Sequence, residues 1–233
     1  MNEILRQGLA TLSLPQDAVP ALEKYGSLLL AKNQEMNLTA ITDPEQVARL
    51  HMLDCAALLN CADFRDKRVL DVGTGAGFPG MVLKLVEPSL SLTLLDSLNK
   101  RIDWLREIAP ELGIEALAAI HGRAEEYGQM PEYREQFDIV ASRAVADLRV
   151  LCELCLPFVR VGGRFLAMKA ADSQEELDAA RTAIQTLGGR RLEDYTYTIP
   201  GTDVIRRVAV IEKTAPTPKP YPRRWAKIQK APL

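Results

Sequence analysis

Long apolar runs are missing from this chain of 233 residues, and none approaches the ~20 residues that a membrane-crossing helix needs. Its first residues are amphipathic rather than a basic segment followed by an apolar one, so no secretory leader is expected. Net charge is close to nothing, -2 at pH 7, and bulk charge therefore selects no partner. Cysteine is scarce, at 55, 61, 152 and 155. The Cys152-x-x-Cys155 pair lies in a helical apolar pattern with Val150, Leu151, Leu154 and Leu156. It has no matching second pair, which points to core packing rather than zinc, and no metal is expected. A reduced, cytoplasmic protein is the default for such a chain. No internal repeat is present, and the Pro/Lys/Arg-rich end is the sole biased segment.

What the chain does have is concentrated in Val69-Leu70-Asp71-Val72-Gly73-Thr74-Gly75-Ala76-Gly77-Phe78-Pro79-Gly80. The order reads as a buried strand, a glycine turn, and a helix opened by Pro79. Glycines at 73, 75 and 77 let a ligand lie against main chain, and the free N–H groups of the helix face it. Gly75-x-Gly77-x-x-Gly80 satisfies the dinucleotide fingerprint. Asp71 argues against a dinucleotide, because a carboxylate beside a pyrophosphate sets like charges together. S-adenosylmethionine carries a sulfonium and an ammonium and no phosphate. The acidic strand end therefore favours adenosylmethionine.

A second apolar strand, Ser91-Leu92-Thr93-Leu94-Leu95-Asp96, ends on a carboxylate one strand–helix–strand unit later. Asp96 can accept hydrogen bonds from both ribose hydroxyls. It can equally cap the helix that begins near Leu98, and the two roles are compatible.

Apolar periodicity predicts helices over 2–12, 18–33 and 44–60, the last with Asp43 before Pro44 as its cap. Strands are predicted at 68–72, 91–96, 116–121, 137–142, 163–168, 194–199 and 206–212. Helical patterns separate them near 79–86, 98–112, 146–158 and 173–187. The last two strands read as an antiparallel pair across Pro200-Gly201-Thr202-Asp203. The expectation is an N-terminal helical extension (1–62), an α/β domain with a seven-stranded, mostly parallel, doubly wound sheet (63–213), and a basic tail (214–233). That tail holds Lys219, Arg223, Arg224, Lys227 and Lys230 and no acid. It reads either as a phosphate-binding arm or as a solvated end, with Trp225 in its midst as a possible stacking surface for a base.

In a parallel sheet the ligand lies beyond the carboxyl ends of the strands. The residues there are Gly73, Asp96-Ser97, Gly122-Arg123-Ala124-Glu125, Ser142-Arg143-Ala144 and Lys169. Arg123, Arg143, Lys169 and Arg206 are the candidate cations, suited to RNA phosphates or a methionine carboxylate. His51 and Asp54 share a helix face and read best as a bridge between the helical extension and the sheet domain.

Taken in order, Asn37-Leu38-Thr39, His51-x-x-Asp54, the glycine turn, Leu94-Leu95-Asp96-Ser97, Lys100-Arg101, Arg123-x-Glu125-Glu126, Ser142-Arg143-Ala144, Tyr221-Pro222-Arg223 and Pro232-Leu233 resemble the RsmG (GidB) family of 16S ribosomal RNA guanine-N7 methyltransferases. The resemblance spans nearly the whole chain. It implies a Rossmann-like class I methyltransferase fold, with S-adenosylmethionine as methyl donor and S-adenosylhomocysteine as product. The substrate it implies is a guanine in the 530-loop region of 16S rRNA, in naked RNA or in the small ribosomal subunit. It also implies cofactor contacts at Gly73, Phe78, Ala124, Glu125 and Arg143, beside Asp71, Gly75, Gly77 and Asp96. For RNA the candidates are Arg123, Lys169, Arg206, Arg223 and Arg224. A monomer is the default expectation.

The expected chemistry fits two further absences. Guanine N7 holds an in-plane lone pair, so no general base is required. An Asn/Asp-Pro-Pro-aromatic turn, usual for exocyclic amines, does not follow the fourth strand, and no cysteine nucleophile for pyrimidine C5 stands at a strand end. Catalysis by alignment and desolvation is expected. The alternatives are a methyltransferase for another RNA, a protein or a small molecule, or a non-catalytic binding protein of the same fold.

Overall fold

The computed structural model describes residues 1–115, 117–143 and 146–233. Ala116, at the start of the third predicted strand, and Ala144 and Val145, after Arg143, lie outside the described residues. The chain opens with α1 (Asn2–Thr11) and α2 (Val19–Met36). A continuous helical run follows. It starts as α3 (Pro44–Val47), widens to a π-helical turn at Ala48–Leu53, and passes through α4 (Asp54–Ala56) into a 3-10 turn at Ala57–Asn60. Asp43 caps it by accepting from Gln46 N at 2.8 Å.

Strands and helices then alternate: β1 (Arg68–Val72), α5 (Gly80–Val86), β2 (Ser91–Asp96), α6 (Asn99–Ile108), β3 (Ala118–His121), α7 (Ala124–Tyr127), β4 (Phe137–Arg143), α8 (Leu148–Cys155), β5 (Val159–Ala170), α9 (Gln174–Ala179) and α10 (Arg181–Thr186). The chain ends with β6 (Gly189–Arg191), β7 (Tyr195–Thr198), β8 (Ile205–Lys213) and α11 (Trp225–Lys230). Sheet order is β3-β2-β1-β4-β5-β8-β6, with β7 also on β8. The first five strands pair in parallel, and β8 runs antiparallel to β5, β6 and β7. The sheet has eight strands, one more than the sequence predicts. Gly189–Arg191 is too short to display a period of two.

Alternation along β1 divides the molecule. Val69 joins the cluster built by α1, α2, α5 and α6, whereas Leu70 and Val72 join that of α8, α10 and the C-terminal residues. The helical extension thus shares one apolar core with one face of the sheet. Asp71 follows the parity of Val69 and turns toward α5 and the extension. Strand order reverses between β1 and β4, so the ends of these strands form the switch point where α/β sheets hold ligands. No helix among the described residues is long and apolar enough to cross a membrane.

Candidate cofactor and substrate site

The glycine turn after β1 is fixed from behind. Asp71 is fully buried, and its Oδ2 accepts from Thr74 Oγ1 at 2.7 Å and Gly80 N at 2.8 Å. Asp71 therefore stands beneath the turn, not at its lip as the sequence suggests. Its other oxygen, Oδ1, has no hydrogen-bond partner among the described residues. Tyr25 of α2 donates its hydroxyl to the Ala76 carbonyl, clasping the turn to the helical extension. The glycines divide in role. A Cβ on Gly75 (φ +58) would meet only the Arg101 guanidinium and Gly73 O at ordinary contact distance, whereas one on Gly77 (φ +93) would strike the Tyr25 hydroxyl, Met81 and Leu105. Gly77 serves the protein's own packing rather than a ligand contact.

This arrangement bears on the choice between the two nucleotide classes. A pyrophosphate needs the free N–H groups of the helix start. Here the Gly80 N–H, the first of α5, is already bound to a carboxylate. The anion position is filled by the protein's own Asp71, and a second anion there meets repulsion. A cationic cofactor meets attraction. Burial raises the Asp71 carboxyl to about 6, against lowering by the Thr74 and Gly80 hydrogen bonds and by the charge of Arg143.

A testable consequence follows for stability. The folded value lies above the unfolded one, near 3.9. The cost of holding a buried carboxylate is therefore absent below about pH 4 and complete above about pH 6. Asp71→Asn removes that cost, on the order of 2–3 kcal/mol, while keeping an oxygen for Thr74 and Gly80. The ligand-free variant is expected to have a higher urea midpoint than the parent at pH 8, with the gap closing toward pH 4. A midpoint at pH 8 below the parent's contradicts the assignment.

Asp96 ends β2 on the open side. It is 5% exposed; Oδ2 accepts from Gly75 N and Oδ1 from Leu98 N, both at 2.8 Å. Each carboxylate oxygen keeps a free lone pair. Arg101 stands 3.7 Å from Oδ2. Beside this carboxylate is a cavity of about 150 Å³ lined by Val72, Gly73, Leu95, Ser97, Gly122, Arg123, Ala124, Glu125, Leu154 and Trp225. Its walls are apolar, its scale is that of a single base, and its rim carries Asp96 and the half-exposed Arg123. The spare acceptors of Asp96 and the apolar surface of Val72, Leu95 and Leu154 fit a nucleoside, and the buried Asp71 carboxylate adds negative charge from beneath the turn.

A second cleft, of about 410 Å³, is lined by Ile41, Leu50, His51, Asp54, Arg143, Met168, Lys169, Ala170 and Arg206. Asp54 is its hub. The carboxylate is 3% exposed and accepts from the Tyr197 hydroxyl at 2.8 Å, with Arg143 Nη1 at 3.3 Å and Arg206 Nε at 3.5 Å. Arg143 also donates to Leu50 O at 3.2 Å and to His51 Nδ1 at 3.0 Å. Its guanidinium lies 4.8 Å from the centre of the Phe78 ring, on which His51 stacks at 4.7 Å. Arginine only donates, so His51 Nδ1 carries no proton and Nε2–H donates to Thr39 Oγ1 at 2.7 Å. Burial, then the Arg143 charge, lowers His51 to about 3. The imidazole stays neutral and acts as a strut. The π-helical turn carries His51 onto Arg143, a common use of such bulges.

The predicted site residues separate into three groups. Gly73, Asp96, Ala124, Glu125 and Arg123 converge on the smaller cavity; Arg143, Lys169 and Arg206 converge on the larger. Phe78 is 5% exposed and lies under Arg143 and His51. Lys169 is pinned to Glu176 at 2.5 Å and to Ala146 O at 2.7 Å. Arg223, expected on RNA, is spent inside the protein. Its Nε and Nη2 donate to the two oxygens of fully buried Glu153 at 2.8 and 2.6 Å. The tail is no free arm: Arg134 donates to Thr217 O and Tyr221 O, and Gln129 to Pro222 O. Arg224 stays exposed, beside Arg123 and Trp225, on a cleft of about 700 Å³. Tyr25 and Tyr197 were not legible, since each binds a group far along the chain; Trp225 was read for RNA and lines the smaller cavity instead.

The model of the family GidB, rRNA small subunit methyltransferase G, matches residues 18–198. The chain is 45% identical over 233 residues to the Ribosomal RNA small subunit methyltransferase G of Alkaliphilus metalliredigens, covering 99% of this chain and 98% of that protein. It is 46% identical over 238 residues to the protein of the same name from Symbiobacterium thermophilum, covering 99% and 97%. Among solved structures, TrmN from Thermus thermophilus superposes with a TM-score of 0.53 at 22% identity, over 69% of this chain and 48% of that one. The ribosomal protein L11 methylase from Lactobacillus delbrueckii subsp. bulgaricus also gives 0.53, at 15% identity over 71% and 79%. These likenesses show a class I, Rossmann-like methyltransferase fold.

Proposed function

Because the chain belongs to the rRNA small subunit methyltransferase G (GidB) family, we propose that it transfers a methyl group from S-adenosylmethionine to N7 of a guanine in the 530-loop region of 16S rRNA. The carrying observation is the carboxylate of Asp71 seated on the first N–H of α5, which favours a cationic cofactor over a dinucleotide. S-adenosylmethionine supplies an electrophilic methyl on its sulfonium. Asp96 holds the ribose hydroxyls, and Val72, Leu95 and Leu154 exclude water from the base. Gly73 and the main chain at Ala124 and Glu125 border the same cavity and are the proposed contacts there.

The second cleft is the proposed seat of the target guanine. N7 offers its lone pair in the ring plane, so none of these residues has to take a proton from it. His51 is neutral and occupied on both nitrogens. The cysteine route to pyrimidine C5 is poorly supported. Burial raises the thiols of Cys55, Cys152 and Cys155 above their ordinary range and Cys61 to about 12, and a thiolate is the required nucleophile. Methylated N7 is cationic, and a bare guanidinium beside it would oppose the transition state. Arg143 is shielded by Asp54, and Lys169 by Glu176. Arg206, 3.5 Å from Asp54 yet partly exposed at the rim, and Arg123 and Arg224 on the neighbouring cleft are the proposed contacts for RNA phosphates.

Calorimetry is expected to detect S-adenosylhomocysteine and not NAD. Mapping of N7-methylguanine in 16S rRNA from cells with and without the protein is expected to show one 530-loop guanine methylated only when it is present. An unchanged 530-loop and a new mark elsewhere would redirect the substrate assignment to another RNA. The proposed setting is the cytoplasm, where the small subunit is assembled.

A further inference from the structure

We propose that the C-terminal segment is a fixed strap over the cofactor cavity, and that the Trp225 indole forms the wall against which the adenine of the cofactor stacks. The inference rests on the cofactor assigned above. Ten of the eleven residues lining the small cavity lie between Val72 and Leu154; Trp225 alone comes from beyond them. The strand ends supply the floor and the ribose carboxylate. Leu154 supplies an apolar side from α8. A flat heteroaromatic base needs apolar surface on its faces, and an indole is the largest such surface a side chain offers.

The strap is built to hold that position. Glu153, the neighbour of Leu154, is fully buried and accepts three hydrogen bonds from Arg223: Arg223 N and Nε to Oε1, both at 2.8 Å, and Nη2 to Oε2 at 2.6 Å. Arg223 and Trp225 are two residues apart, so one turn of α8 both anchors the strap and lines the cavity it covers. Arg223 also lies over the Tyr221 ring at 5.7 Å. Arg134 takes the carbonyls of Thr217 and Tyr221, each at 2.7 Å, and Ile228 of α11 is fully buried. Trp225 is on a segment tied down on both sides.

The chain has two tryptophans, which supplies the readout. Trp104, on α6, is 3% exposed in the core, and Trp225 borders the cavity. Titration of S-adenosylhomocysteine into the full-length protein is expected to change tryptophan emission in the parent and in Trp104→Phe, and to leave Trp225→Phe silent. Calorimetry is expected to give a dissociation constant raised about tenfold in Trp225→Ala, the scale of one lost stacking partner, and about threefold or less in Trp225→Phe, where a ring is retained. The calorimetric pair stands without Trp104→Phe should that variant fail to fold. Trp225→Ala binding like the parent overturns the wall. Absence of binding in the parent overturns the cofactor assignment instead.

Discussion

Asp96→Ala is expected to weaken S-adenosylmethionine binding by two to four orders of magnitude. A hydrogen bond to a charged group is worth about 1.5–3 kcal/mol net. Two ribose hydroxyls on one carboxylate then account for about 3–6 kcal/mol, at 1.4 kcal/mol per tenfold. The same carboxylate receives the N–H groups of Gly75 and Leu98, so its removal also frees the glycine turn. Asparagine repairs little. Asp96 uses a different oxygen for each N–H, and the amide's second head is a donor that would face one of them. Calorimetry of Asp96→Ala and Asp96→Asn beside the parent tests this. Affinity within threefold of the parent in either variant would remove Asp96 from the ribose.

Asp54→Ala is expected to be the most destabilising single change at the site. It leaves the Arg143 guanidinium, 16% exposed, without its carboxylate, and leaves the Tyr197 hydroxyl only the main-chain carbonyl of residue 54 as acceptor, at 3.0 Å. Breaking a buried ion pair by removing one partner costs about 3–5 kcal/mol. For a domain of this size each kcal/mol corresponds to roughly 2–4 °C, so Tm should fall by roughly 6–20 °C. Asp54→Leu combined with Arg143→Met should lose less than Asp54→Ala, because no unpaired charge remains buried. Thermal unfolding of the three proteins decides the matter. A double variant less stable than Asp54→Ala would mean that Arg143 is not held by this carboxylate.

The second change touches the seam between the helical extension and the sheet. Thr39, His51 and Asp54 come from the extension, Arg143 from β4, and Tyr197 and Arg206 from β7 and β8. The proposed substrate cleft is thus made by packing two parts of the chain, while the cofactor cavity is made mostly by consecutive strand ends.

That division explains what was readable in the linear chain. Strands, helices and the glycine turn follow from periods of two and 3.6 and from backbone freedom, all local properties. The proposal of a cationic cofactor could be drawn from the sequence because Asp71 precedes the turn within the same dozen residues. Asp96 was legible because a parallel sheet places every strand end at one edge. The tertiary structure alone decided that Asp71 acts from beneath the turn, that Gly77 makes room for Tyr25, that Arg143 is tied to Asp54 and His51, and that Arg223 closes on Glu153 rather than on RNA. Asp71 meets neighbours in its own turn, but the partners of Gly77, Arg143 and Arg223 lie tens of residues away, and charge and spacing say nothing about which distant groups meet. Five basic residues in the tail looked like an arm for phosphate, yet a buried carboxylate in α8 cannot stay unpaired, and folding drew one of them inward.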